Sequence, residues 1–183
     1  DMRGNTNIAV GTVSGVAGTF IKNFNPLAGA TLVTGNSSDG TFAGTFLSDY
    51  TTGLLNVTKI GSGDWTLTGD SSSKLLSTLN ILGDAVILDQ ATGKLGFVTT
   101  NLGEGGALTL NSAANAISDR LGGSTSIQSA TADRVFNNRG GVLNYTSSTS
   151  GTFVENLNTV FNVAGQSQWN LTQNATTQTR INL

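Results

Sequence analysis

Carboxylates are the side chains in this sequence best suited to chemistry. Asp64 and Asp70 flank a short segment around Trp65, and Asp84 and Asp89 bracket residues 85–88. Glycoside hydrolysis needs two carboxyl groups facing one another across the scissile bond. These four instead fall where apolar alternation stops, the position at which Asp serves as a turn residue. No Asp-Asp or Asp-x-Asp cluster supports a catalytic pair. The chain has no His and no Cys, which excludes Ser-His-Asp and Cys-His catalysis and zinc held by thiolate or imidazole. Residues 36–40 are rich in oxygen, but calcium takes several carboxylates and only Asp39 is charged there. Gly61-Ser62-Gly63 and Gly103-Glu104-Gly105-Gly106 have phosphate-loop composition, yet strands rather than a helix are expected to follow them. Trp65, Trp169, Tyr50 and Tyr145 are candidates for stacking on sugar rings, and half-buried packing is the plainer use of a lone aromatic on an amphipathic strand. Asn-x-Ser/Thr triplets begin at Asn36, Asn56, Asn144, Asn170 and Asn174, and ladders of Asn or Thr stacked in register explain them physically. No catalytic, cofactor-binding or metal-binding residue is therefore assigned.

The charge balance removes further classes of function. Nine basic residues stand against eleven acidic ones, net −2, and the basic residues are scattered singly. A nucleic-acid binder needs a basic stripe, and attraction to anionic lipid needs a basic cluster. No apolar run approaches the ~20 residues that span a bilayer. The sequence opens without a basic and apolar leader, so any signal peptide is expected outside it and the chain reads as a segment of a longer exported protein.

The elements that must position these residues are short. Apolar alternation returns at 7–13, 19–24, 30–33, 41–46, 54–60, 65–68, 75–82, 85–88, 95–99, 107–110, 125–129, 142–146, 153–154, 159–163, 168–172 and 179–183, each run closed by Gly, Asn, Asp or Ser. Residues 111–121 differ, being Ala-rich and stopped by Gly122-Gly123, and read as one or two helical turns or an irregular corner. Gly18-Thr19-Phe20 and Gly40-Thr41-Phe42 are 22 residues apart, near the length of a solenoid coil, and Gly151-Thr152-Phe153 repeats the triplet. Two or three short strands with tight corners cannot bury an inner face alone. Stacking parallel coils about 4.8 Å apart satisfies the backbone and buries the inward side chains. An antiparallel sandwich would need more two-residue hairpins than the single Asp39-Gly40. The expectation is an all-β, right-handed parallel β-helix of about eight coils, one domain over residues 1–183, with at most one short helical segment near 111–121.

Residues 36–69 carry a specific likeness. Gly40-Thr41-Phe42-Ala43-Gly44 is followed by a frame on which Lys59, Gly61, Gly63, Trp65, Leu67 and Gly69 fall in order. This resembles the autotransporter-associated β-strand repeat, also called the passenger-associated transport repeat. A second stretch, residues 106–121, ends Ser118-Asp119-Arg120-Leu121 and resembles a segment common in long bacterial surface proteins with these repeats. After Gly69 the chain departs from the family pattern, with Asp-Ser-Ser-Ser-Lys at 70–74, so that corner must differ. The resemblance implies a β-helical passenger displayed at a bacterial surface and carries no catalytic residues, because the motif is structural.

The function expected is a structural or adhesive segment forming a rigid extracellular stalk. The alternatives are a glycan-binding adhesin and a polysaccharide-degrading β-helix enzyme. No cofactor is expected. The expected partners are neighbouring coils of a parent chain, other copies stacked end to end, or a cell-surface glycan, without nucleic acid or membrane insertion.

Overall fold

The computed structural model describes residues 1–183 except 3–6, 49–52, 73–75, 116, 122–133, 148–150, 158, 174–176 and 183. The expected strand at 125–129, Tyr50 and Asn174 lie outside the described residues. The elements are β1 (Asn7–Val10), β2 (Phe20–Asn23), β3 (Ala30–Thr34), β4 (Gly40–Phe42), β5 (Thr45–Ser48), β6 (Leu55–Lys59), β7 (Trp65–Leu67), β8 (Leu76–Ile81), β9 (Asp84–Leu88), β10 (Phe97–Gly103), β11 (Gly106–Asn111), β12 (Val135–Arg139), β13 (Val142–Thr146), β14 (Gly151–Asn156), β15 (Thr159–Asn162), β16 (Gln168–Thr172) and β17 (Thr177–Asn182).

Their pairing is that of a parallel β-solenoid. One sheet stacks β1-β3-β6-β8-β10-β12-β15 and a second stacks β16-β13-β11-β9-β7-β4, every strand pair parallel. Each turn passes from the first sheet to the second and then along a third side. Among the described residues that side is strand-like only at its ends, where β2 pairs β5 and β14 pairs β17. Between them single bonds continue the column: Ser71 Oγ accepts from Phe46 N, Ser71 N donates to Lys94 O, Leu95 N to Arg120 O, and Asp119 N to Val154 O.

The core follows from alternation. In β6 Leu55, Val57 and Lys59 are buried while Asn56 and Thr58 are half-buried on the outer face. Trp65 and Leu67 point inward and Thr66 outward, as the phase of that strand requires. Phe46 sits among Phe42, Trp65 and Phe97 with ring centroids 5.3, 5.7 and 6.1 Å away. Inside, leucines stack on leucines: Leu108 lies in register with Leu143 and with Val86, and Leu110 with Leu88.

Three expectations need correction. The solenoid has about six turns rather than eight, because the turns are unequal. Thr78 pairs with Thr99 but Thr99 pairs with Val135, a spacing of 36 residues that absorbs the excess in one turn. Of the two readings of residues 111–121, the described residues take the irregular corner rather than the helical turns, because residues 118–121 are drawn into the third-side column. The run 41–46 is two strands, since the chain turns at Ala43-Gly44 and lets Phe42 and Phe46 both face inward across that corner. The Gly18 and Gly40 triplets are also not equivalent. Phe20 starts β2 on the third side and pairs with Thr45, whereas residues 40–42 are β4 of the second sheet.

Leu67→Ala should cost about 2–5 kcal/mol, because a fully buried side chain is removed between two coils that cannot collapse independently. Thr66→Ala should cost far less. Urea denaturation of both variants checks this, and equal losses would contradict the inward phase of β7.

Candidate functional site

The residues of the repeat-like motif converge on one corner. Lys59 ends β6 with its side chain turned inward, and it is 1% exposed. A parallel coil that leaves its sheet strands carbonyl oxygens at the turn, and a buried acceptor without a partner is costly. Lys59 Nζ donates to Ile60 O at 3.1 Å, Gly61 O at 3.2 Å and Gly83 O at 2.9 Å, so one ammonium closes the corner of its own coil and of the next. Burial lowers its pKa from the ordinary lysine value, and Asp84, Asp64 and Asp39 act in the opposite sense. The glycines of the motif serve the same stacking. Gly61 has φ of 76°, in the left-handed region. A side chain on Gly63 would collide with Ser38 O in the coil below, and one on Gly69 with Gly44 O. Trp65 fills the core and donates from Nε1 to Val13 O at 2.8 Å, bridging to the first coil.

The acidic residues take backbone amides. Asp39 Oδ1 accepts from Asp64 N at 2.8 Å and Asp64 Oδ1 from Ala85 N at 3.3 Å, so each carboxylate caps the coil that follows it. Asp70 accepts from Ser72 N and Oγ, and Asp89 from Gln90 N and Asn111 Nδ2. In the oxygen-rich turn at 36–40, Asn36 Oδ1 accepts from Thr12 Oγ1 and Ser38 N. Among the described residues no group of three or more acidic side chains is placed to hold a metal ion.

A second centre lies at the Ser118-Asp119-Arg120-Leu121 motif. Asp119 has φ of 54°, which turns the next two amides toward one point. Glu155 of β14 occupies that point, its Oε2 accepting from Arg120 N and its Oε1 from Leu121 N, both at 2.8 Å. Arg120 is fully buried, and its guanidinium donates to Ser112 Oγ, Gly93 O, Gln90 O and Asn111 O. Arg134, also buried, donates to Gly96 O at 2.6 Å. Arg120 and Arg134 are thus both tied to the same 90–96 segment. Burial pushes the Glu155 carboxyl up to about 7, the two amides and Arg120 opposing the shift and Asp119 adding to it. Burial likewise raises the Tyr145 phenol well above its ordinary value, and its hydroxyl has no hydrogen-bond partner among the described residues.

The remaining candidates are spread along the flanks. On the first sheet Asn80 Nδ2 donates to Thr58 Oγ1, Asn101 Nδ2 to Asn80 Oδ1 and Asn137 Nδ2 to Asn101 Oδ1, a continuous ladder up the outer face. On the second sheet Asn170 donates to Asn144, and Asn144 to Thr109. Two of the Asn-x-Ser/Thr positions, 144 and 170, are rungs of this ladder. Of the aromatic candidates, Trp65 and Tyr145 are inside and Trp169 is half-buried with its ring edge against Phe136. Sequence reasoning missed Glu155 and Arg134. Glu155 was findable, because it shares the inward phase of β14 with Phe153. Comparison with family models, curated proteins and solved structures finds no match to this chain.

Two outcomes follow. Lys59→Met should destabilise by about 3 kcal/mol, since it strands corner carbonyls that each cost ~1–3 kcal/mol when left unpaired. Chemical denaturation measures the loss, and a neutral effect would show that the corner is solvated. Because the Glu155 carboxyl is raised from 4.5 to about 7 on folding, the folded chain binds that proton more tightly than the unfolded chain does. Stability from this group is full below 4.5 and is lost as pH rises through 7. Thermal melts across that window should show the decline, and Glu155→Gln should flatten it.

Proposed function

We propose that this chain is a rigid structural segment, a stalk or fibre section, of an extracellular bacterial surface protein of the autotransporter-repeat type. The observation that carries the reading is the employment of the motif residues. Lys59, Gly61, Gly63, Trp65 and Gly69 all serve coil-on-coil stacking, and the Asp119–Leu121 stretch does the same on the third side. The flanks support it: they carry uncharged Asn and Thr ladders, with the aromatic side chains of Trp65 and Tyr145 turned inward. An adhesin that reads glycans through aromatic stacking would use such rings on an exposed flank.

The test is a glycan array together with an assay of reducing ends released from bacterial and plant polysaccharides. A structural segment gives no saturable glycan binding below millimolar concentration and releases no sugar. Micromolar binding would move the reading to an adhesin, and release of reducing ends to a β-helix enzyme.

A further inference from the structure

The outer face of the first sheet is a regular polar array. Val33, Thr58, Asn80, Asn101 and Asn137 lie in one column, each in register with the next. Two residues back along the strands, a second column sets Thr31 beside Asn56, and Thr78 beside Thr99 and Val135. These side chains are half-buried and uncharged, and Arg139 stands beyond them at the corner. Adjacent strands set a repeat of about 4.8 Å up each column, and alternation along a strand sets about 6.6 Å between the columns.

The array is also stiff. Thr and Val are β-branched and hold their first torsion tightly. Asn80 Nδ2 donates to Thr58 Oγ1 at 3.2 Å, Asn101 Nδ2 to Asn80 Oδ1 at 2.7 Å and Asn137 Nδ2 to Asn101 Oδ1 at 2.8 Å. Side-chain ladders of this kind hold a many-stranded sheet against its usual twist. A primary amide has two N–H donors and two acceptor sites on its oxygen, and the ladder takes one of each from Asn80 and Asn101. The other half of each amide's capacity is offered outward at the repeat of the coils.

The chemistry of the face selects its ligand. Sugar rings stack on aromatic side chains, nucleic acid needs Lys and Arg, and protein interfaces centre on aromatic residues, Met and Arg. The two columns contain none of these. Hydroxyl, amide and methyl groups on a two-dimensional repeat match ordered water instead, and both repeats are close to the a and c repeats of hexagonal ice. We propose that the outer face of the first sheet, from β3 to β12, binds the surface of ice. Immobilising a bridging water costs entropy, and water in a lattice has already lost that freedom. Val33 and Val135 keep the methyl groups of the array where the hydroxyl is missing. The inference rests on the register of the sheet and not on the stalk reading.

The second sheet supplies the control. Thr66 faces outward there in register with Ile87, an apolar break in its column. Ice is grown slowly on a cold finger from a solution of the unaltered chain and a reference globular protein. The chain should enter the ice several-fold more than the reference. Thr99→Lys, which puts a long cation into the middle of the array, should lower uptake to that of the reference. Thr66→Lys, the same charge on the other sheet, should leave uptake unchanged. Both variants are verified as folded by circular dichroism, and Thr78→Lys in the neighbouring strand replaces Thr99→Lys if that variant does not fold. Uptake of the unaltered chain no greater than that of the reference overturns the proposal. Loss of uptake in Thr66→Lys, or its retention in Thr99→Lys, also overturns it, because either result places the contact off the first sheet. None of these failures touches the stalk reading, which the glycan and polysaccharide measurements decide.

Discussion

The structure depends on one constraint: a coil's backbone is satisfied only by the coils above and below it. Within the sheets the parallel ladder meets this need automatically. At the corners the chain leaves the ladder, and its carbonyls and amides must find other partners in a place that water reaches poorly. The buried polar residues of this protein are concentrated there. Lys59, Arg120 and Arg134 supply donors to stranded carbonyls and Glu155 supplies acceptors to stranded amides, while exposed Asp39 and half-buried Asp64 cap amides at the surface. Asn23 does both, donating to Ala28 O and Gly53 O while its Oδ1 accepts from Asn25 N. The residues that look most capable of chemistry are the ones the corners require.

The same constraint shapes the flanks. Each outer residue has near-copies about 4.8 Å above and below it, so like charges stacked there would repel by about 1 kcal/mol even at the dielectric constant of water. Asn and Thr avoid that cost, and Asn gains from stacking because each amide both donates and accepts along the axis. The runs through Asn80, Asn101 and Asn137 and through Asn144 and Asn170 use this property. Asp39 and Asp64 are in adjacent coils, and they are tolerated because each holds an amide and the Lys59 ammonium lies nearby.

The long turn shows how the solenoid accommodates irregular sequence. Thr99 of β10 and its partner Val135 of β12 are 36 residues apart, against 21 between Thr78 and Thr99, yet the coils on either side stay in register. The strands keep that register, and ionisable side chains tie the third side between the coils. Arg120 reaches carbonyls of the preceding coil, and Glu155 of the following coil grips the amides of Arg120 and Leu121. An ionisable group held by two amides in a water-poor corner is sensitive to pH, so the stability of this region is tied to protonation in a way that the leucine-stacked middle is not.

The sequence by itself determined the class of the fold and the phase of its strands. Alternation of period two marks Leu55, Val57, Leu67, Leu108 and Leu110 as inward, and the shortage of hairpin turns counts against an antiparallel arrangement; both are local properties. Local patterns could not decide how many residues each turn spends, because a coil of 21 residues and one of 36 stack equally well once their corners are tied. Nor could they decide the roles of Arg120 and Glu155, which are 35 residues apart and meet only when one coil is laid on another. Residues 111–121 have helical propensity, which a short segment cannot realise when its end must supply amides to Glu155 and a carbonyl to Leu95. Propensity is fixed along the chain, whereas partners at the corners are fixed across coils, and only the stacked structure brings those together.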